Sequence, residues 1–94
     1  MYARLSTWRV RPEDLEALSR EVAPIVTKIK RQPGYMAGYD LTTTADTHMF
    51  VTIWESEDQM RAAFDEAAPA LRPIVESGRI ELLNVTFCPA EEWV

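Results

Sequence analysis

Two segments of this chain alternate as β-strands do, yet both faces of each are largely apolar. In residues 47–55, Phe50 and Trp54 stand at even positions and Val51 at an odd one, so apolar side chains point to both faces. Residues 79–88 likewise carry apolar side chains at both even and odd positions. A sheet with one face in water normally shows polar residues on that face. An exposed apolar sheet face is rare on a monomer. We therefore expect a homodimer in which a second copy covers the open sheet face.

The size of the chain supports this expectation. It has 94 residues, of which 47% are hydrophobic, including three Trp, three Tyr and three Phe. A domain this small buries only about two-thirds of the surface of its unfolded chain. The core of a single chain therefore cannot bury all of these apolar side chains. We expect one domain over residues 1–94.

The order of the predicted elements defines the fold class. Pro12 followed by two acids begins a helix that Pro33-Gly34 ends, and Ser56 with Gln59 three residues later is a capping box. Strands are predicted at 2–10, 35–43, 47–55 and 79–88. The order β-α-β-β-α-β predicts an α+β, ferredoxin-like fold with a four-stranded antiparallel sheet.

Four residues inside these elements predict irregularities. Pro24 predicts a kink near Ala23, and Pro69 with Pro73 predicts two helical pieces around residue 68. Gly38 within the second strand predicts a bulge or a close backbone approach.

Composition and charge exclude several functions. Ten basic and fifteen acidic residues give a net charge of −5, which argues against binding to nucleic acid. Single-strand RNA binding on the open sheet, although compatible with the strand order, is disfavoured for the same reason. No apolar run approaches the roughly 18 residues of a membrane span. Cys88 is the only cysteine, and we expect it to be a small core residue. Because a single cysteine cannot form a disulfide within the chain, we also expect a cytoplasmic protein. No metal-site spacing is present.

The segment Val51-Thr52-Ile53-Trp54-Glu55-Ser56, directly before a helix, resembles the antibiotic biosynthesis monooxygenase domains of the dimeric α/β-barrel superfamily. The Pro33-Gly34-Tyr35 entry to strand two and the following hairpin match as well. The resemblance implies a subunit that pairs through its sheet into a barrel, with a pocket between sheet and helices. Family enzymes oxidise electron-rich aromatic substrates with dioxygen, without metal or flavin. Related members degrade haem, and others have no known chemistry.

The resemblance also assigns positions in this chain. Trp54 matches the pocket tryptophan of the family. Polyketide-oxidising members carry asparagine where this chain has Phe50 and tyrosine where it has Met60. Quinol-oxidising members carry a histidine in the next helix, where this chain has residues such as Ala63 and Phe64. Haem-degrading members need a helical histidine, and no predicted helix here contains one.

Two residues are the candidates for catalysis, His48 and Trp54. His48 shares the sheet face of Trp54 by period-two alternation and could deprotonate a phenol whose anion reduces dioxygen. Its position just after the hairpin turn favours an exposed, idle side chain instead. Trp54 either stacks on a planar ligand or closes the core against the second helix.

The candidates for substrate contact are aromatic, apolar or basic. Tyr39 lies four residues from Tyr35, on one face of strand two, where dimer packing is the alternative role. Arg72 could hold an anionic substrate at the pocket mouth or stay solvated. Asn84 in strand four is expected to be a buried polar residue whose hydrogen bonds serve a structural role. The full set is Trp8, Tyr39, Phe50, Met60, Phe64 and Arg72.

Two functions remain from this reasoning. The first is a monooxygenase without cofactors that oxidises an anthrone- or quinol-type aromatic. The second is a non-catalytic homodimer that binds a hydrophobic aromatic molecule or serves a structural role.

Overall fold

The computed structural model of the chain describes residues 1–93, with four strands and two helices in the predicted order. All neighbouring strands are antiparallel, in the spatial order β2-β3-β1-β4. This confirms the α+β, ferredoxin-like prediction. The elements are β1 (Tyr2–Val10), a 3-10 turn (Pro12–Asp14), α1 (Leu15–Lys30), β2 (Tyr35–Thr42), β3 (Thr47–Trp54), α2 (Glu57–Glu76) and β4 (Ile80–Pro89).

The register of the two central strands defines the faces of the sheet. Opposite residues of β1 and β3 include Arg4 with Thr52 and Trp8 with His48, and these lie on the side covered by the helices, here called the inner face. The opposite side, which neither α1 nor α2 covers, is here called the open face. Its central pairs are Ala3 with Ile53, Leu5 with Val51 and Thr7 with Met49.

Bulges in both edge strands change the faces predicted from simple alternation. The β2 register shifts between Tyr35 and Ala37, so Tyr35 pairs with Trp54 and Tyr39 pairs with Val51. The two tyrosines therefore lie on opposite faces, and the prediction of a shared face was wrong. The bulge precedes Gly38, where the side chain of Tyr35 makes the close approach.

The edge strand β4 carries the second bulge. Thr7 pairs with Asn84 while the next residue, Trp8, pairs with Leu82. Even-numbered residues of β4 therefore face inwards before the bulge, and odd-numbered residues such as Phe87 do so after it. The exposed Asn84 bonds to Thr86 over 3.4 Å, so it is not the buried polar residue that the sequence predicted.

Both helices are continuous, and the predicted break around residue 68 in α2 was wrong. Pro24 lies within α1, while Pro69 and Pro73 lie within α2. All three are exposed to solvent. A carbonyl group that loses its helical partner to proline can bond to water at such positions.

The helix ends follow the sequence more closely. The Ser56 hydroxyl accepts a bond from the Gln59 backbone N–H over 3.3 Å and donates one to the Gln59 side chain over 3.0 Å. Gly34 joins α1 to β2 with a positive φ of 87°, a conformation that favours glycine. These contacts fix the start of α2 beside the end of α1.

The core consists of two apolar clusters between the helices and the inner face. One surrounds Trp54 and includes Met60, while the other surrounds Trp8 and includes Leu18. Cys88 is half-buried opposite Ala3 on the open face, so its predicted place in the core was wrong. No helix within residues 1–93 has the length and hydropathy needed to cross a membrane.

Candidate functional site

A cavity of about 560 Å³ lies between the inner face of the sheet and the two helices. Its wall is mostly apolar, and a few polar side chains reach it from the central strands. Cavities of this size and composition are typical of small-molecule sites. The lining includes Arg4, Ser6, Trp8, His48, Phe50 and Thr52 from the sheet and Leu18, Val22, Ile25, Phe64, Leu71 and Ile74 from the helices.

His48 is buried in this wall with 4% of its surface exposed. Its Nε2 atom has no hydrogen-bond partner among the described residues. The expectation of an exposed histidine after the turn was wrong, because the helices cover the side of β3 on which His48 lies. Its neighbour across the sheet is Trp8 of the central strand β1. The imidazole therefore belongs to the cavity wall, and its Nε2 is not held by another described side chain.

Two further polar atoms on β3 lack partners within residues 1–93. They are the hydroxyl oxygen of Thr52 and the indole nitrogen of Trp54, both shielded from solvent. Buried polar atoms are bonded in the large majority of cases, and exceptions often mark sites of function or unplaced water. His48 and Thr52 both line the cavity, and neither unpaired atom is held by another described residue.

Three residues of β1 form a connected polar row beside them. The Trp8 indole donates to the Ser6 hydroxyl over 2.8 Å, and Arg4 donates to the same oxygen over 3.3 Å. The Arg4 guanidinium also lies 4.0 Å from the centre of the Phe64 ring. Burial lowers the pKa of Arg4. Thus Ser6 holds both neighbours in place on the cavity wall.

Trp54 and Met60 lie behind the cavity wall. Trp54 has no exposed surface and meets Tyr35 and Phe64 edge-on, with ring centres 5.6 Å and 6.0 Å apart. Met60 is 1% exposed within the same cluster. Phe64 is thus the member of this aromatic group that reaches the cavity from α2.

The remaining sequence candidates occupy different places. Trp8 and Phe50 are neighbours on the inner face, with ring centres 6.3 Å apart. Tyr39 borders the cavity at the sheet edge, but its register is that of the open face and 61% of its surface is exposed. Arg72 is exposed on α2, beside a shallow depression of about 390 Å³ that also borders Arg4.

Sequence reasoning missed Arg4 and Ser6 as site residues. The alternation of β1 linked Arg4, Ser6 and Trp8 to one face, but both faces of that strand are mixed, so the direction of this face was not determined. The strand register resolves it by placing Ser6 opposite Phe50. Within residues 1–93, no three His, Cys, Asp or Glu side chains are grouped so that they could hold a metal ion.

The structure resembles several solved proteins. One is a variant of SnoaB from Streptomyces nogalater, described as a cofactor-independent oxygenase, with a TM-score of 0.77 and 15% identity over 99% of this chain and 95% of that one. A candidate antibiotic biosynthesis monooxygenase from Deinococcus radiodurans gives a TM-score of 0.82 and 13% identity, covering 100% and 96%. A conserved protein from Methanosarcina mazei Go1 gives 0.81 and 9%, covering 96% and 92%.

The sequence itself matches no protein-family profile and no curated protein. At identities this low, the structural likeness concerns the fold. The chain has the fold of the antibiotic biosynthesis monooxygenase domains. This confirms the fold that the resemblance of the Trp54-Glu55-Ser56 segment implied.

Proposed function

We propose that this protein is a cofactor-independent monooxygenase that oxidises a planar aromatic substrate of the anthrone or quinol type with dioxygen. The observation that carries the proposal is the buried His48, which lines a cavity with an aromatic wall and whose Nε2 has no hydrogen-bond partner among the described residues. A general base needs a nitrogen that no other protein group holds and a position beside the substrate. The likeness in fold to a protein described as a cofactor-independent oxygenase supports the same conclusion.

The residues at the cavity have three different roles in binding the substrate. Trp8, Phe50 and Phe64 provide flat surfaces for a planar ring system. Trp54 and Met60 support the Phe64 side of the cavity from behind, so their role is positioning rather than contact. The Thr52 hydroxyl can donate a hydrogen bond to a substrate oxygen.

The chemistry requires one base and dioxygen. For an anthrone, His48 Nε2 takes a proton from the substrate, and the resulting anion gives one electron to dioxygen. The two radicals combine into a peroxide anion at the ring carbon, His48 returns its proton to the outer oxygen, and the hydroperoxide loses water to leave a ketone. The carbon loses two hydrogens and gains one oxygen atom. The other oxygen atom leaves as water, so dioxygen is the sole oxidant. An apolar cavity assists because charge delocalised over the ring system needs little hydration.

Oxygen consumption with a panel of anthrones and hydroquinones tests the proposal. We expect turnover by the parent protein and a decrease in kcat of roughly 10²- to 10⁴-fold in His48→Gln, the range of general-base contributions. Circular dichroism of both proteins controls for folding. A parent protein that binds these aromatics without consuming oxygen would instead be the non-catalytic binder.

We also propose that a second copy of the chain covers the open face. The centre of that face is apolar, with Leu5, Val51 and Ile53 side by side on the two central strands. Towards the β2 edge, Tyr39 and Leu41 are 61% and 44% exposed. A sheet-to-sheet dimer would remove this surface from water. Light scattering at micromolar concentration should give the mass of two chains, and a mass of one chain would contradict the dimer.

A further inference from the structure

Arg4 differs from the other basic residues in its charge environment. Six of the ten basic side chains have a carboxylate within 4.0 Å in the described chain. Arg4 is among the four that have none within residues 1–93, and the other three are exposed whereas Arg4 is half-buried. A cation that is partly removed from water and has no counter-ion is unfavourable in the absence of a ligand. The arrangement therefore indicates a site for an anion.

The immediate surroundings of Arg4 leave most of its hydrogen bonds unused. A guanidinium has five N–H donors. Among the described residues, Arg4 directs one of them to the Ser6 hydroxyl, while its guanidinium carbon lies 4.0 Å from the Phe64 ring centre and 5.9 Å from that of Phe87. The packing orients the group without consuming its donors.

Arg61 provides a contrast within the same region. It also lies near Phe87, with its guanidinium carbon 5.5 Å from the ring centre. However, it is exposed and paired with Glu57 over 3.0 Å. Within residues 1–93, the outer arginine is neutralised and the inner one, Arg4, has no carboxylate partner at the cavity.

We infer that Arg4 binds a carboxylate of the molecule in the cavity, so that the ligand is a polycyclic aromatic acid. This rests on the proposed function, because it assigns the occupant of the same cavity. A carboxylate matches the planar guanidinium fork and carries a single charge that one arginine neutralises. A phosphate dianion would leave an uncompensated negative charge against an apolar wall.

The strand register gives the distance that this ligand would span between Arg4 and His48. Arg4 pairs with Thr52, and Trp8 pairs with His48. These two pairs are four residues apart, which corresponds to roughly 13 Å along the strands. A rigid acid of polycyclic size can therefore place its carboxylate at Arg4 and direct its far ring towards His48. The acid group then determines which ring carbon is presented to the base.

Binding of two fluorescent compounds tests this assignment. One is anthracene-2-carboxylate, and the other is its neutral analogue 2-(hydroxymethyl)anthracene. We expect the parent protein to bind the acid at least tenfold more tightly. Arg4→Met should weaken acid binding by roughly ten- to hundredfold, the value of a lost charge-assisted bond, and leave the alcohol unchanged. Arg4→Lys, which keeps the charge but loses the fork, should lie between them.

Arg61→Met is the matched control, because it removes a neighbouring arginine that already has a partner. It should leave the affinity for both compounds unchanged. The inference fails if the parent binds acid and alcohol equally, if it binds neither, or if Arg4→Met weakens both to the same extent. Should Arg4→Met not fold, the parent protein and Arg4→Lys still decide the question.

The measurement is independent of the proposed oxygenase activity. A protein that prefers the acid through Arg4 and consumes no oxygen would disprove the oxygenase alone. A protein that oxidises anthrones with an affinity indifferent to Arg4 would disprove the carboxylate site alone.

Discussion

The indole N–H of Trp8 donates a 2.8 Å hydrogen bond to the hydroxyl of Ser6, two residues earlier on β1. Both side chains are buried, and Ser6 has no exposed surface. The same oxygen accepts a bond from Arg4, so one small residue holds an aromatic wall and a cationic group at the cavity. The inner face of β1 is therefore a polar row inside an otherwise apolar layer.

Removing the Ser6 hydroxyl should destabilise the fold. In Ser6→Ala the buried Trp8 N–H loses its acceptor, at a cost of about 1–3 kcal/mol in the free energy of unfolding. The double variant Ser6→Ala with Trp8→Phe should lose less than the sum of its single variants, because no donor is then left unpaired. Urea denaturation of the four proteins gives the coupling, and strict additivity would show that the bond contributes nothing.

Truncating Trp54 should cost far more than truncating Trp93. Trp54 has no exposed surface, whereas Trp93 is 98% exposed. Trp54→Ala should lower the free energy of unfolding by about 3–5 kcal/mol. Trp93→Ala should change it by less than about 0.5 kcal/mol in the single chain. A comparable loss of unfolding free energy in both variants would mean that Trp93 packs against another protein surface.

Replacing Arg4 should stabilise the ligand-free protein. Arg4→Met keeps an unbranched apolar stem against Phe64 and removes a cation that has no carboxylate partner within residues 1–93, so we expect a gain of about 1 kcal/mol. Such a gain is typical where a residue is retained for binding rather than for stability. Arg61→Met should give no gain, since Arg61 is exposed and paired. A marked loss of stability in Arg4→Met would assign Arg4 a structural role.

Two glycines with positive φ allow a comparison of backbone and contact costs. Gly34 has φ of 87° and Gly78 has φ of 77°. Alanine at either position should cost about 1–2 kcal/mol for its left-handed conformation. A Cβ at Gly34 would also collide with the Gln59 side chain, while none lies near Gly78. Gly34→Ala should therefore be the more destabilising by thermal denaturation, and equal effects would show that Gln59 moves aside freely.

A charge on the open face should dissociate the proposed dimer. Val51 lies at the centre of that face, between Leu5 and Tyr39 in the sheet. Val51→Glu should shift the light-scattering mass from two chains towards one, because burying the carboxylate is unfavourable. Ala70→Glu, on the exposed side of α2, should keep the parent mass. An unchanged mass for Val51→Glu would place the interface elsewhere.

Most of the fold was predictable because its determinants are local. The capping box at Ser56, the Pro33-Gly34 stop and the β-rich segment at 47–54 act within a few residues of chain. The continuity of α1 and α2 was harder to predict, since it depends on prolines such as Pro24 lying at solvent-facing positions. That property emerges only when the helices pack.

Less of the site was predictable, because it depends on pairing between distant strands. Alternation brought His48, Phe50 and Trp54 to one face correctly. Alternation could not show that His48 is buried, since the side chains that shield it from solvent come from β1 and the helices. It also failed at the bulges, where one extra residue in each edge strand exchanges the two faces.

The three tryptophans occupy three distinct environments, which makes the chain a source of its own optical signals. Trp54 is sealed in the core, Trp8 lies on the cavity wall with its indole bonded to Ser6, and Trp93 is in solvent. A ligand carboxylate that draws Arg4 away from Ser6 would change the bond felt by the Trp8 indole. Occupancy of the cavity would thus be visible in the emission of Trp8, while Trp54 reports unfolding and Trp93 provides the solvent reference.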